Sequence, residues 1–156
     1  MESGEEQILV LLVEDDPGDQ KLIKTAIMSQ RYKINLMIVS SGESAMSYLQ
    51  RCKENSEKYQ KPRLILLDLN MPGMGGKEFL RKVKADDELR AISVVVVTTS
   101  DSETDIRECY GLQAAGYIQK VAVPEEFNEI IKKLTRYWFS LSAIFKSDGM
   151  VTKSGN

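Results

Sequence analysis

Residues 64–76 read LILLDLNMPGMGG, and this stretch constrains the architecture more than any other. Leu64–Leu67 is apolar without polar alternation, the pattern of a strand buried on both faces, as in parallel sheets covered by helices. Met71-Pro72-Gly73 and Gly75-Gly76 then supply turn residues. Asp68 stands at the junction. An open parallel sheet binds its ligands there, outside the carboxyl ends of the strands, so this carboxylate is aimed at solvent chemistry and not at packing.

A second strand ends in acid. Ile8–Val13 reads ILVLLV and runs directly into Glu14, Asp15 and Asp16. If the two strands are neighbours, Glu14, Asp15 and Asp68 converge, and their mutual repulsion raises their pKa values unless a cation neutralises them. Hard oxygen ligands in a small acidic pocket suit Mg2+, with Mn2+ as the alternative. Asp16 has a different reading: followed by Pro17 and Asp19, it is a helix N-cap with proline in the first turn and an acid favouring the helix dipole. Taken singly, Glu14 and Asp15 also fit a solvated helix start and Asp68 a turn; their convergence carries the metal reading.

Two further strand endings join them. Residues 92–97 are mostly β-branched and lead into Thr98, Thr99 and Ser100, and Tyr117-Ile118-Gln119 is a short strand followed by Lys120. Alone, Thr98 is an ordinary strand threonine and Lys120 a solvated lysine. Four successive strands ending in acid, acid, hydroxyl and amine are not explained by packing.

Between the strands lie helical patterns, giving an α/β ladder without repeats. Leu22, Ile23, Ala26 and Ile27 face inward on a helix over about 17–29; a strand follows over about 35–39. Ala45, Met46, Tyr48 and Leu49 mark a second helix, Phe79, Leu80 and Val83 a third, and residues 103–112 a fourth. KENSEKYQKP, before the third strand, is a polar stretch read as a helix extension plus loop. In the last helix Phe127, Ile130, Ile131, Leu134, Trp138, Leu141 and Phe145 recur with a 3.6 period over about twenty residues. The segment YWFSLSAIF is expected to project past the sheet as a homodimer surface, with a cap over the domain's own edge or a docking site as alternatives.

Composition sets the outer limits. With 156 residues and 42% hydrophobic content the chain buries one core. A formal charge of −2 without a basic run argues against a nucleic-acid surface. No apolar run reaches membrane length and the acidic start MESGEEQ is no signal peptide, so a cytoplasmic protein without membrane contact is expected. Cys52 and Cys109 fall in helical patterns and read as buried thiols. Histidine is absent, which excludes a phosphohistidine relay site within the sequence.

In order, LLVEDD, LLDLNMPGMGG, VVVTTS and GYIQK resemble the receiver domain of two-component response regulators, over about residues 7–134. The resemblance implies a flavodoxin-like, doubly wound, five-stranded parallel sheet of order 2-1-3-4-5 with a long C-terminal helix. Length leaves room for one domain, so a single-domain regulator is expected with the receiver over 7–145, and the polar, small-residue-rich end at 146–156 reads as a disordered tail. Asp68 is then the phosphoacceptor for a sensor histidine kinase. Mg2+ is the cofactor, bound by Asp15 and Asp68, by Glu14 through water and by the Asn70 carbonyl. Thr98 and Lys120 contact the phosphoryl oxygens, and Tyr117 is the aromatic switch that, with Thr98, alters the face of the fourth helix, fifth strand and fifth helix. Asn70 and Ser100 lie where the family tunes dephosphorylation. The EDDPGD start, the polar insert and the YWF segment are similar to small regulators paired with phytochrome-type kinases. One departure stands out: the family has proline after the lysine, whereas Val121 follows Lys120 here. A non-proline cis bond costs ~2.5–4 kcal/mol, which favours trans.

Rival functions are weaker. A phosphatase of the haloacid dehalogenase type also forms a phosphoaspartate with Mg2+, but resembles its kin in a second aspartate two residues on, where this chain has Asn70; an enzyme acting on external substrates is therefore not expected. An FMN-binding flavodoxin cradles phosphate in its first loop, where Glu14 and Asp15 repel it. A receiver-like binding module that is never phosphorylated has no need of the intact set of acids, Thr98 and Lys120.

Overall fold

Strand β1 (Ile8–Val13) shows why its sequence does not alternate: Leu9, Leu11 and Val13 enter one buried cluster and Val10 and Leu12 another, on opposite faces of the sheet. The structure, a computed structural model, describes residues 7–141. After β1 come α1 (Pro17–Met28), β2 (Ile34–Val39), α2 (Gly42–Glu54), β3 (Leu64–Leu67), α3 (Gly76–Ala85), β4 (Ser93–Thr98), α4 (Glu103–Gly111), β5 (Gly116–Gln119) and α5 (Pro124–Arg136). All strand pairings are parallel, in the order β2-β1-β3-β4-β5. This is the flavodoxin-like order that the resemblance implies.

The helices cover both faces of the sheet. Leu49 of α2, Phe79 and Leu80 of α3 and Cys109 of α4 pack with Leu11, Ile65 and Val96. Ile23 and Ile27 of α1 and Phe127 and Ile131 of α5 pack with Leu12, Leu66 and Val97 on the other side. Burying each large aliphatic side chain contributes roughly 1.5–3 kcal/mol. Capping residues start the helices where they must turn away from the sheet. Asp16 accepts the Asp19 N–H at 2.8 Å at the start of α1, with Pro17 in the first turn, and Ser41 and Ser102 cap α2 and α4 in the same way. Each such cap is worth about 1 kcal/mol. Cys52 and Cys109 are buried free thiols.

Boundaries shift by a residue or so from the pattern. β4 begins at Ser93 and takes in Thr98, because Ile92 is held in the preceding turn by its N–H bond to the Leu89 carbonyl. The polar stretch before β3 is a helix end plus loop: α2 absorbs Lys53 and Glu54, and Tyr59 then stacks edge-on against Tyr48. The Lys120–Val121 bond is trans.

The last helix is long, but its second half behaves differently from the expected projection. The α-helix ends at Arg136 and widens into a π-helical turn, Tyr137–Leu141. Trp138 and Phe139 lie against the α1-side cluster, with the Phe139 ring centroid 6.1 Å from that of Tyr32. Of the aromatic residues in YWF, only Tyr137 is exposed, at 53%. Trp138, the one distal stripe residue whose side chain is described, thus packs on the domain itself, and Phe145 and the tail at 146–156 lie outside the described residues.

Candidate functional site

Register places the acids side by side. Val13 pairs with Leu67, and the Asp68 N–H donates to the Val13 carbonyl at 3.0 Å, so the next residues of both strands emerge together from the carboxyl edge of the sheet. Carboxylate oxygens of Glu14, Asp15 and Asp68 lie within 4.8 Å of one another. Glu14 and Asp68 are buried, at 1% and 6% exposure, while Asp15 is half-buried. Three carboxylates this close, two of them dry, form a donor set that fits a hard divalent cation.

β4 and β5 bring the hydroxyl and the amine. Thr98 and Gln119 are register partners, and the Lys120 N–H continues the ladder to the Thr98 carbonyl at 2.7 Å. Thr98 is fully buried with its Oγ1 accepting the Ser100 N–H at 3.5 Å, and its hydroxyl and the backbone N–H groups of Leu69 and Asn70 lie near enough to Asp68 to favour the ionised carboxylate. The Lys120 Nζ lies 2.7 Å from Glu14 Oε1, 2.8 Å from Asp19 Oδ2 and 3.8 Å from Asp68 Oδ1. Asn70 is exposed at the start of the β3–α3 loop, with its N–H turned to Asp68.

Burial dominates the electrostatics. It pushes the Glu14 carboxyl up to about 7, against the stabilising bonds from Lys120 and the Asp16 N–H, and the nearby Asp68 adds to the rise. Burial also raises Asp68, with Lys120, Thr98 and the two amides pulling the other way. For Lys120, burial favours the neutral amine, but its bonds to Asp19 and Glu14 outweigh that and hold it above the ordinary lysine value. A cation among the three carboxylates would remove the strain that burial creates.

Tyr117 occupies the next position outward. Its hydroxyl donates to the Ser100 carbonyl at 3.0 Å, and its ring packs against the α2–α4 side of the core. The Ser100 hydroxyl donates to Asp105 of α4, and Asp105 and Glu108 both pair with Lys77 of α3. The loop after Thr98 is therefore tied to β5, α3 and α4 at once.

Of the residues singled out from sequence, Glu14, Asp15, Asp68, Asn70, Thr98 and Lys120 lie at this one edge of the sheet or in the loops leading from it, while Tyr117 sits further back in β5, paired with Val96, and reaches the edge by its hydroxyl on the Ser100 carbonyl. Sequence reasoning missed Asp19, assigned there to the helix dipole, which pairs with Lys120 across the mouth of the site. Its signal was available: an acid in the first turn of a helix that leaves the acidic strand end points back towards that end. It also missed Lys77, whose position in the first turn of α3 carries no such signal.

Comparison with known proteins gives a consistent picture. The family model described as "Response regulator receiver domain" matches residues 10–132. The chain is similar to response regulator Rcp1 of Synechocystis, 34% identical over 130 residues that make up 83% of this chain and 88% of that protein. It superposes on the phosphorylated cyanobacterial phytochrome response regulator RcpA with a TM-score of 0.84 and 35% identity, covering 90% of this chain and 100% of that one. The Mn2+-bound form of Rcp1 gives a TM-score of 0.79 and 31% identity over 88% of this chain and 98% of that one.

Proposed function

We propose that this chain, which belongs to the response regulator receiver domain family, takes a phosphoryl group from a sensor histidine kinase onto Asp68 and converts the new charge into a changed α4/β5/α5 surface. The observation that carries the reading is the meeting of three carboxylates within 4.8 Å, with the Lys120 ammonium 3.8 Å from Asp68. A strand end built this way suits phosphoryl transfer, since packing alone has no use for it.

Glu14, Asp15 and Asp68, with the Asn70 carbonyl, would hold a divalent cation, Mg2+ in this reading. Bound there, it supplies positive charge that offsets the repulsion between carboxylate and phosphoryl oxygens. The existence of an Mn2+-bound form of the similar Rcp1 supports a divalent ion. A carboxylate oxygen of Asp68 attacks the phosphorus of a phosphohistidine; the P–O bond forms as the P–N bond breaks, and the bond pair leaves with the imidazole nitrogen. The Leu69 and Asn70 amides orient Asp68 for that attack. Lys120 shifts its weight from Glu14 and Asp19 towards the phosphoryl oxygens, and the Thr98 hydroxyl, at the neighbouring strand end, donates to them.

The switch follows from Thr98. Drawn onto the phosphoryl group, it vacates space that Tyr117 enters, breaking the bond to the Ser100 carbonyl and loosening the loop that Asp105 and Lys77 anchor. The chain acts on its own aspartate and not on external substrates, consistent with Asn70 in place of a second acid. Likeness to the phytochrome response regulator RcpA supports a phytochrome-type kinase as donor. We further propose a cytoplasmic homodimer that binds neither nucleic acid nor membrane. Exposed Tyr110 on α4, with Val123 and Tyr137 bracketing α5, supports the dimer, and among the described residues no helix is long and apolar enough to cross a membrane.

The test is metal-dependent incorporation. Incubated with a small phosphodonor and Mg2+, the protein should gain one phosphoryl group, seen by intact mass, and gain none in excess chelator. Equal incorporation in both conditions contradicts the reading.

A further inference from the structure

The β3–α3 loop carries Asn70 and follows directly on Asp68; Leu69 and Met71 are buried, while its second half, with Gly73 and Gly75, runs along the surface. Its first anchor is local: the Gly76 N–H donates to the Leu69 carbonyl at 2.9 Å. Its second comes from outside. Glu43, in the first turn of α2 and 31 positions away in sequence, places Oε2 2.9 Å from the Met74 N–H. That bond stabilises the ionised form and holds the Glu43 carboxyl below the usual glutamate range.

The surrounding backbone is shaped for this contact. Gly73 has φ +74, a conformation that side-chain-bearing residues rarely adopt, and a Cβ there would lie 2.5 Å from Glu43 Oε2. A Cβ on Gly42 would lie 2.8 Å from the Met74 carbonyl oxygen. Two glycines, one on each side, thus let the start of α2 and the middle of the loop approach closely enough for one carboxylate to hold the turn. Glu43 lies outside the cluster of Glu14, Asp15 and Asp68.

We infer that Glu43 is a positioning residue for phosphoryl acceptance: by gripping the Met74 N–H it fixes the β3–α3 loop, so that the backbone groups of Leu69 and Asn70 stay in place against Asp68 and the cation site. The inference rests on the function proposed above. A loop released from α2 still belongs to a folded domain, but presents the Asn70 backbone over a wider range of positions, and both cation binding and phosphoryl acceptance weaken.

The experiment compares the full chain with Glu43→Ala and Glu43→Gln. Glutamine keeps an acceptor oxygen without the charge, so it separates the hydrogen bond from electrostatics. Three quantities are read: amide hydrogen exchange at Met74, the Kd for Mg2+ alone, and the rate of labelling by a small phosphodonor across Mg2+ concentrations. In Glu43→Ala, Met74 exchange should quicken and Mg2+ should bind roughly three- to tenfold more weakly, the scale of one ordinary hydrogen bond's net contribution. Labelling should slow most at low Mg2+, and the thermal midpoint should hardly move. Glu43→Gln should recover most of the wild-type behaviour. Wild-type Mg2+ affinity in Glu43→Ala overturns the inference, as does unchanged Met74 exchange, or a glutamine variant as impaired as the alanine one. A wild-type protein that binds Mg2+ but takes no phosphoryl group refutes the proposed function alone, because the exchange and Mg2+ measurements still decide the role of Glu43.

Discussion

The Lys120 ammonium sits 2.7 Å from Glu14 Oε1, in an ion pair whose two side chains are 7% and 1% exposed. The lysine is thus committed first to an acid of the cation site and only second, at 3.8 Å, to Asp68. Removing it strands a buried carboxylate. In the metal-free protein, Lys120→Ala should cost about 3 kcal/mol, the low end for a broken buried pair because Glu14 can take up a proton instead. Added Mg2+ should restore much of the loss. Thermal unfolding with and without Mg2+ measures both; a Lys120→Ala protein as stable as wild type without metal is the contrary result.

The same pair sets a pH dependence. The Glu14 carboxyl stands at about 7 in the folded protein and near 4.5 unfolded, so between those values the folded state binds more protons. Stability of the metal-free protein therefore rises as pH falls through that window, by at most about 3 kcal/mol. Asp68, also raised, acts in the same direction. Lys120 is held above its ordinary value, so its contribution is complete throughout the window and is lost only at high pH. Asp86 and Asp105, which are lowered, withdraw stability only below the window. Midpoints at pH 7.5 and 5 should differ by several degrees in wild type and much less in Glu14→Gln. Equal pH slopes for the two proteins would rule this out.

Thr98 separates labelling from switching. Its hydroxyl favours the ionised Asp68 and supplies no carboxylate to the cation site, so Thr98→Ala should keep Mg2+ affinity within a few-fold. The phosphorylated variant should fail to reorganise around Tyr117. Trp138, the single tryptophan, sits just beyond α5 and reports the response by its emission. A full emission change on phosphorylation of Thr98→Ala would remove Thr98 from the switch.

Dimer formation turns on a narrower surface than the apolar stripe alone suggests, because Trp138 and Phe139 already lie against the domain's own core. Light scattering at tens of micromolar should show a dimer, and Tyr137→Asp should shift it towards monomer. A monomeric wild type, phosphorylated or not, ends the dimer proposal.

These outcomes draw on different depths of the sequence. β1 and β3 were legible because a strand buried on both faces leaves an unbroken apolar run, and the strand ends carried their chemistry in plain sight at Glu14, Asp15, Asp68, Thr98 and Lys120. The strand order came only through the family resemblance, since periodicity says which faces are buried and not which strands are neighbours. Asp19 was hidden by degeneracy: an acid in a first helical turn satisfies the dipole whether or not a lysine reaches it. Glu43 was hidden by distance, for a bond between residues 31 positions apart leaves no periodic trace. In the last helix the stripe correctly marked Phe127 and Ile131, but it could not show where the sheet stops supporting it. Nor could it mark Thr135, which is buried by bonding its hydroxyl back to the Ile131 carbonyl at 2.8 Å.

The most direct measurement is the site of the phosphoryl group. Wild type and Asp68→Asn, each labelled with a small phosphodonor in Mg2+ and quenched, are compared by intact mass and peptide mapping. Asparagine keeps the size of the side chain and removes the nucleophilic carboxylate from the meeting point of Glu14, Asp15 and Lys120. The account predicts one phosphoryl group on the wild-type peptide containing Asp68 and none on the variant; equal labelling of Asp68→Asn, or a wild-type label on any other residue, would contradict it.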